Sequence, residues 1–414
     1  PMTDLKHLLL VFSSLACNSL LVAQDNSAGF LEYEVVYSAL PWVNLSGGID
    51  QGFVYMDNAD VTAKLNLNEL FNWEQSMSIF FYGLGNHGGQ ATDFMGDFQV
   101  ASNIQAVPSW RLFEVWIQEN FLNDRVSALF GLYDLNSEFD VLRPGTIFIN
   151  SSFGIGAEYA QSGLNGPSIF PISSLGLRVS SSITNQWQVR LAILDGVSGD
   201  PSNLNSNKIS ISKDDGALIA LENSFYLSSA VPDRINRNYT TRRKKVGREQ
   251  AIPTNDKLNM GGWMYTAEFP EIGDSAFYKP NWGAYIGAQK YWFYFSYDDR
   301  YLSMFVRYGV ANDRINRIGS AISGGIVFAG SLSEKTDYLG LAFSTAINGK
   351  AQLKNESESE RAETALELTY SFPLRTWLTI QPDVQYIINP NTDVSIKNPL
   401  AIGLLIQASV GGAW

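Results

Sequence analysis

The sequence predicts an all-β fold: a transmembrane, antiparallel, up-and-down β-barrel of about 16 strands, with short periplasmic turns and long extracellular loops. Three observations predict it. Apolar and polar residues alternate through segment after segment. Tight turns alternate with long polar stretches. Beyond the N-terminus, no apolar run reaches the roughly 18–20 residues that a transmembrane helix needs. The 414-residue chain is 45% hydrophobic, 13% aromatic and only 17% charged. Its mean hydropathy of -0.06 is too polar for a helical membrane protein. A barrel strand needs only alternate residues to be apolar, so a barrel carries such a composition without strain.

Residues 1–23 read as a secretory signal peptide that is cleaved. Lys6 and His7 form a thin basic start, Leu8 to Ala16 an apolar core, and Leu21-Val22-Ala23 a cleavage site before Gln24. Residues 24–414 then read as a single domain. The one cysteine, Cys17, falls in the leader, so the mature chain has neither a disulfide nor a cysteine metal site.

The strands follow in order. Arg111–Phe121 and Val126–Tyr133 form a hairpin about a turn at Asn123-Asp124. Leu175, Leu177 and Val179 oppose Gly176, Arg178 and Ser180. After a turn at Thr184-Asn185, Trp187, Val189, Leu191 and Ile193 oppose Gln188 and Arg190. Further turns fall at Asp298-Asp299-Arg300 and near Ser331–Ser333. In Ala362–Phe372 the residues Thr364, Leu366, Leu368, Tyr370 and Phe372 take one face, and Glu363, Ala365 and Glu367 the other. A turn at Pro373-Leu374-Arg375 leads to Leu378–Ile388, where Pro382 lacks a donor and predicts a bulge that re-aims Asp383. The final strand carries Leu400, Ile402, Leu404 and Ile406 on one face and closes on Trp414, as outer-membrane assembly signals do. Long polar stretches at 86–108, 135–170, 196–214, 229–257 and 348–361 read as loops of the opposite rim.

Net charge is -12, which excludes nucleic acid as a partner. The cluster Arg234, Arg237, Arg242, Arg243, Lys244, Lys245 and Arg248 reads as a solvated loop, or as a contact to anionic lipid or lipopolysaccharide. Gly83-Leu84-Gly85-Asn86-His87-Gly88 matches a dinucleotide fingerprint, but no helical pattern follows, so it reads as a Gly-rich barrel loop. His87 is the mature chain's single histidine, which excludes a histidine-cluster metal site. There is no GxSxG. The chain therefore reads as no enzyme, with no cofactor and no metal.

Several segments, in order, resemble the OprB-type carbohydrate-selective porins. They are Gly96-Asp97-Phe98-Gln99 with Ser102-Asn103-Ile104, Arg111-Leu112-Phe113-Glu114-Val115-Trp116, Phe148–Gly154, Gly166–Pro171 and Gln381–Pro390. Leu132 stands where the family often has lysine, and Trp414 where phenylalanine is commoner. The resemblance implies a constricted, solute-contacting pore in the outer membrane of a Gram-negative bacterium, reached by export through the periplasm. It implies passive diffusion of carbohydrates, monosaccharides such as glucose. A general or other-small-solute diffusion porin is the alternative, and an outer-membrane hydrolase a remote one. A homo-oligomer is compatible with either porin reading.

A neutral sugar offers hydroxyls and weakly apolar ring faces, so its pore needs planar hydrogen-bonding groups and an aromatic surface. Register from the Asn123-Asp124 turn points Trp116 into the lumen opposite Gly131, with Glu114 opposite Tyr133. Arg178 and Arg190 point inward and nearly opposite each other. Two like charges so placed need carboxylates nearby, and Glu114, Glu363, Glu367 and Asp383 are the inward candidates. Glu34 matches a family lumen glutamate. These eight side chains form the predicted pore lining, an arginine-lined constriction facing acidic groups; the alternatives are that Trp116 packs against an inward-folded loop and that the arginines belong to a structural ion network bracing the barrel.

Overall fold

A computed structural model of the chain describes residues 29–203, 206, 209, 211–227, 255–292, 300–330 and 337–414. The predicted leader, the basic cluster between Arg234 and Arg248, and the turns at Asp298-Asp299 and Ser331–Ser333 lie outside these residues.

Sixteen antiparallel strands close into one barrel. They are β1 (Leu31–Gly48), β2 (Gly52–Asn66), β3 (Ser76–Gly88), β4 (Ser109–Phe121), β5 (Val126–Tyr133), β6 (Ser174–Ser182), β7 (Trp187–Asp195) and β8 (Ala217–Tyr226), then β9 (Lys257–Tyr265), β10 (Asn281–Trp292), β11 (Tyr301–Ala311), β12 (Ile318–Ala329), β13 (Tyr338–Asn348), β14 (Ala362–Arg375), β15 (Leu378–Ile388) and β16 (Lys397–Ala413). Each strand pairs with its neighbours in sequence, and β1 pairs with β16 to seal the cylinder. A closed sheet has no free edge, which is how a strand-built protein satisfies its backbone inside hydrocarbon.

The alternation holds as predicted. Along β14, Leu366 and Leu368 are exposed on the outer wall while Glu363, Ala365 and Glu367 are buried inside. Leu122, Asn123 and Asp124 all take positive φ in the β4–β5 turn, a conformation that Asn and Asp tolerate best among side-chain-bearing residues. At the β6–β7 turn, the Thr184 hydroxyl accepts from the Gln186 and Trp187 N–H groups, both at 3.1 Å.

Four readings change. Gly83–Gly88 lies within β3, not in a loop; glycine there leaves room for the Trp110 ring, which a Cβ on Gly85 would meet at 2.6 Å. Pro373–Arg375 continues β14, pairing onto β15, so the turn moves to Thr376-Trp377. No bulge forms at Pro382: the β15–β16 register runs unbroken from Leu378 to Tyr386. The connection from Tyr226 to Lys257, predicted among the long-loop rim's stretches, leaves from the rim of the tight turns, because connections in an antiparallel meander alternate rims.

Two loops turn inward rather than out. Residues 89–108 bring Met95, Ala101 and Ile104 against Leu40, Trp42, Val54 and Met56 of the wall. Residues 134–173 pack Leu135, Phe139 and Tyr159 against Trp116, Leu129, Trp263 and Tyr285. Further along, their Ile147, Phe148 and Phe153 meet Phe305, Val327 and Ala342. Each large side chain so covered contributes about 1.5–3 kcal/mol.

Candidate functional site

The site is the barrel interior where the inner loops meet the wall. Parity of the strands sets which wall side chains enter it. Every second residue points inward, so Glu114, Arg178, Arg190, Glu222, Lys257, Arg307, Glu363, Glu367 and Asp383 enter the barrel interior from eight of its strands.

The wall carboxylates hold loop backbone. Glu367 Oε1 and Oε2 accept the N–H groups of Ile149 and Asn150 at 2.6 and 2.9 Å. Glu363 accepts from Gln99 and Phe98, both at 3.0 Å, and from Asn391 at 2.6 Å. Glu114 accepts the Asp134 N–H at 3.0 Å, and Glu222 accepts the Asp140 N–H at 2.8 Å. These bonds supply donors for carboxyl groups that burial would otherwise penalise. Amides help: Gln381 donates to the Ile147 carbonyl at 2.7 Å, and Gln385 to that of Ala101 at 2.9 Å. Beside them, Asp383 Oδ1 accepts from Gln385 at 3.2 Å.

The arginines are neutralised by acids that the sequence reading did not choose. Arg178 Nε lies 2.6 Å from Glu138 Oε2, a residue of the 134–173 loop, and its other nitrogens reach the Ser127 hydroxyl and Gln118. Tyr133 donates to the same Glu138 oxygen at 2.6 Å. Arg190 pairs with Glu222 at 3.0 Å. The two arginines are diagonal rather than opposed, since Arg178 faces Ala192 and Arg190 faces Ser180.

Trp116 lies opposite Gly131, as the turn register required. Its ring stacks on Phe80 at 4.9 Å between centroids and is covered by the loop core. Of the eight predicted side chains, Glu114, Trp116, Arg178, Arg190, Glu363, Glu367 and Asp383 are all buried, and Glu34, on the inner face of β1 opposite Thr62, is half-buried. Of these seven, Glu114, Arg178, Glu363 and Glu367 bond the inner loops, Trp116 packs beneath one of them, and Arg190 and Asp383 bond side chains of the wall. The inner loops fill the part of the lumen beside these side chains.

Arg307 is the principal residue missed. Its guanidinium makes paired bonds to Asp140 (2.8–3.0 Å) and to Glu158 (2.6–2.9 Å), both loop residues. Gly156 and Gly309 form its slot: a Cβ on Gly156 would lie 2.0 Å from the guanidinium, and one on Gly309 would lie 2.0 Å from Glu158 Oε1. The inward parity of Phe305, Arg307 and Gly309 on β11 was the available signal. Arg143, on the loop, and Lys257, whose Nζ donates to the Val141 carbonyl at 2.5 Å, were likewise not singled out.

Comparison with known proteins converges on one family. The family model of the carbohydrate-selective porins, OprB family, matches residues 50–409. Porin B of Pseudomonas aeruginosa is 23% identical over 91% of this chain and 87% of its own length. A high-pH structure of Pseudomonas putida OprB superposes with a TM-score of 0.77 at 21% identity, covering 92% of this chain and 94% of that one. The outer-membrane channel DcaP of Acinetobacter baumannii shares the barrel more distantly, with a TM-score of 0.52 at 9% identity over 92% and 96% of the two chains. A sixteen-stranded closed barrel, two inner loops stapled to its wall and a family match over most of the sequence together place this chain in the OprB family of carbohydrate-selective porins, channel proteins rather than enzymes, in the Gram-negative outer membrane.

Proposed function

We propose that the chain passes small neutral carbohydrates, monosaccharides such as glucose, by passive diffusion through the lumen that the 134–173 loop narrows. The observation that carries this reading is the fixing of that loop to Glu114, Arg178, Glu222, Arg307 and Glu367 around the wall. A loop held at so many points keeps one bore, and a fixed bore sorts solutes by size. Weak contacts suit such a path, because a solute held tightly would not leave. Glu34, half-buried on the inner face of β1, and Arg143, half-buried on the loop, are the side chains offered to solute.

Swelling of liposomes containing the purified porin tests this directly. Monosaccharides should enter fastest, disaccharides more slowly, and trisaccharides barely. Equal rates for sugars and for amino acids of matched size would favour a general diffusion porin instead.

A further inference from the structure

At one end of the braced lumen three cations gather around the single carboxylate of Glu222, so positive charge is in excess there. Lys257 opens β9, directly across from Tyr226 on β8 and Gln289 on β10. Gln289 Oε1 accepts the Arg143 N–H at 2.8 Å, which sets Arg143 beside Lys257. The Lys257 ammonium reaches the Val141 carbonyl, two residues before Arg143. Tyr226 donates to Gln188 Oε1, and the same oxygen accepts from Arg190. This chain of contacts gathers Arg143, Arg190 and Lys257 into one cluster, with Tyr226 and Tyr291 alongside.

The acids nearby are already engaged. Glu222 is shared between Arg190 and Lys257, Asp140 serves Arg307, and Glu138 serves Arg178, which leaves Arg143 without an acid of its own among the described residues. Lys257 has a neutral carbonyl as its hydrogen-bond partner. The Arg143 guanidinium makes no hydrogen bond or ion pair among the described residues, although it is half-buried. A largely desolvated guanidinium with a second cation beside it is a site for an anion, because a carboxylate or phosphate supplies the paired acceptors that its planar fork matches.

We infer that Arg143, Arg190 and Lys257 form an anion-binding station in the lumen, one that takes sugars bearing a carboxylate or a phosphate. The inference rests on the sugar-porin reading and narrows it: acidic monosaccharides pause at the station, and neutral ones pass it. Arg143 supplies the free fork, Lys257 a point charge, and Arg190 the rear wall through its bond to Glu222.

Planar-bilayer recording tests the station apart from sugar passage. In a salt gradient the wild-type reversal potential should show anion preference. Glucuronate and glucose 6-phosphate should each block conductance about tenfold more tightly than glucose, the scale of one charge-assisted contact. R143Q should lose that tenfold advantage and shift the reversal potential towards cations, and K257M should do so in part. R143K should restore the potential more than the block, since lysine keeps the charge but not the fork. R375Q, at the exposed end of β14, should change nothing. Heat-modifiable migration on gels confirms that each variant folds, and K257M keeps the test running if R143Q does not. A cation-preferring wild type, or an R143Q channel with unchanged potential and block, overturns the station. Preference for glucuronate alone assigns it to carboxylates, and for glucose 6-phosphate alone to phosphates. Absent liposome swelling with glucose would instead strike the sugar-porin reading and leave the reversal potential to judge the station.

Discussion

Arg307 concentrates the chemistry of this molecule in one side chain. It answers two buried carboxylates at once, with Tyr285 at 5.4 Å beneath the guanidinium. Removing one partner of a buried ion group leaves the others uncompensated, a loss of about 3–5 kcal/mol. R307M should therefore lower the temperature at which the folded band disappears on gels. Where the barrel survives, it should also raise single-channel conductance, because Asp140 and Glu158 are released together. A folded R307M channel with unchanged conductance would deny the clamp its part in setting the bore. Gly131 makes a second case. Its φ is +147°, and a Cβ there would come within 2.2 Å of the Val115 carbonyl and 2.7 Å of Trp116 Cβ. G131A should destabilise by about 1–3 kcal/mol through backbone strain, read as an earlier unfolding midpoint with the pore's ion preference unchanged.

At the scale of the element, the 134–173 loop is an insertion held by wall carboxylates. Glutamate suits the task because each of its two oxygens meets a separate main-chain N–H, as Glu367 does. Glutamine would keep one acceptor and turn its amide donors towards the second N–H. E367Q should leave that N–H unsatisfied, a loss of about 1–3 kcal/mol, and loosen the loop near Ile149. Faster liposome swelling by disaccharides is the expected readout. The sequence made the inward direction of Glu114, Glu363, Glu367, Arg178 and Arg190 legible, because strand parity fixes direction two residues at a time. Their partners were not legible. Backbone N–H groups carry no sequence identity, and Glu138, Asp140 and Glu158 sit in a polar stretch whose composition matches a solvated loop equally well. Only folding the loop into the lumen makes Arg178 find Glu138 rather than the carboxylates of β14 and β15.

For the whole molecule, the outer wall and the inner fill behave differently. The wall was readable in the hairpins β4–β5, β6–β7 and β14–β15 and in the closing strand β16, since a lipid-facing surface allows few substitutes for apolar residues. It was misread where glycine mimicked a loop in β3 and where proline suggested a bulge in β15. The barrel should run compact on gels before boiling and slower after it, a shift that a soluble β-sandwich would not show. Salt should affect the inner clamps little, because screening acts weakly on buried pairs. The folded band should therefore persist equally at low and high ionic strength.

The seam between β1 and β16 has a temporal consequence. Tyr37 aligns with Ala408, and Val43 with Ile402, across nearly the entire sequence. Contacts of such separation are the slowest to form, since the loop entropy must be met before they give anything back. Every other neighbouring pair in the wall can zip locally, but the cylinder stays an open ribbon until its last strand arrives. The time spent with both edges bare, and so the hazard of pairing with another chain, is set at this one junction.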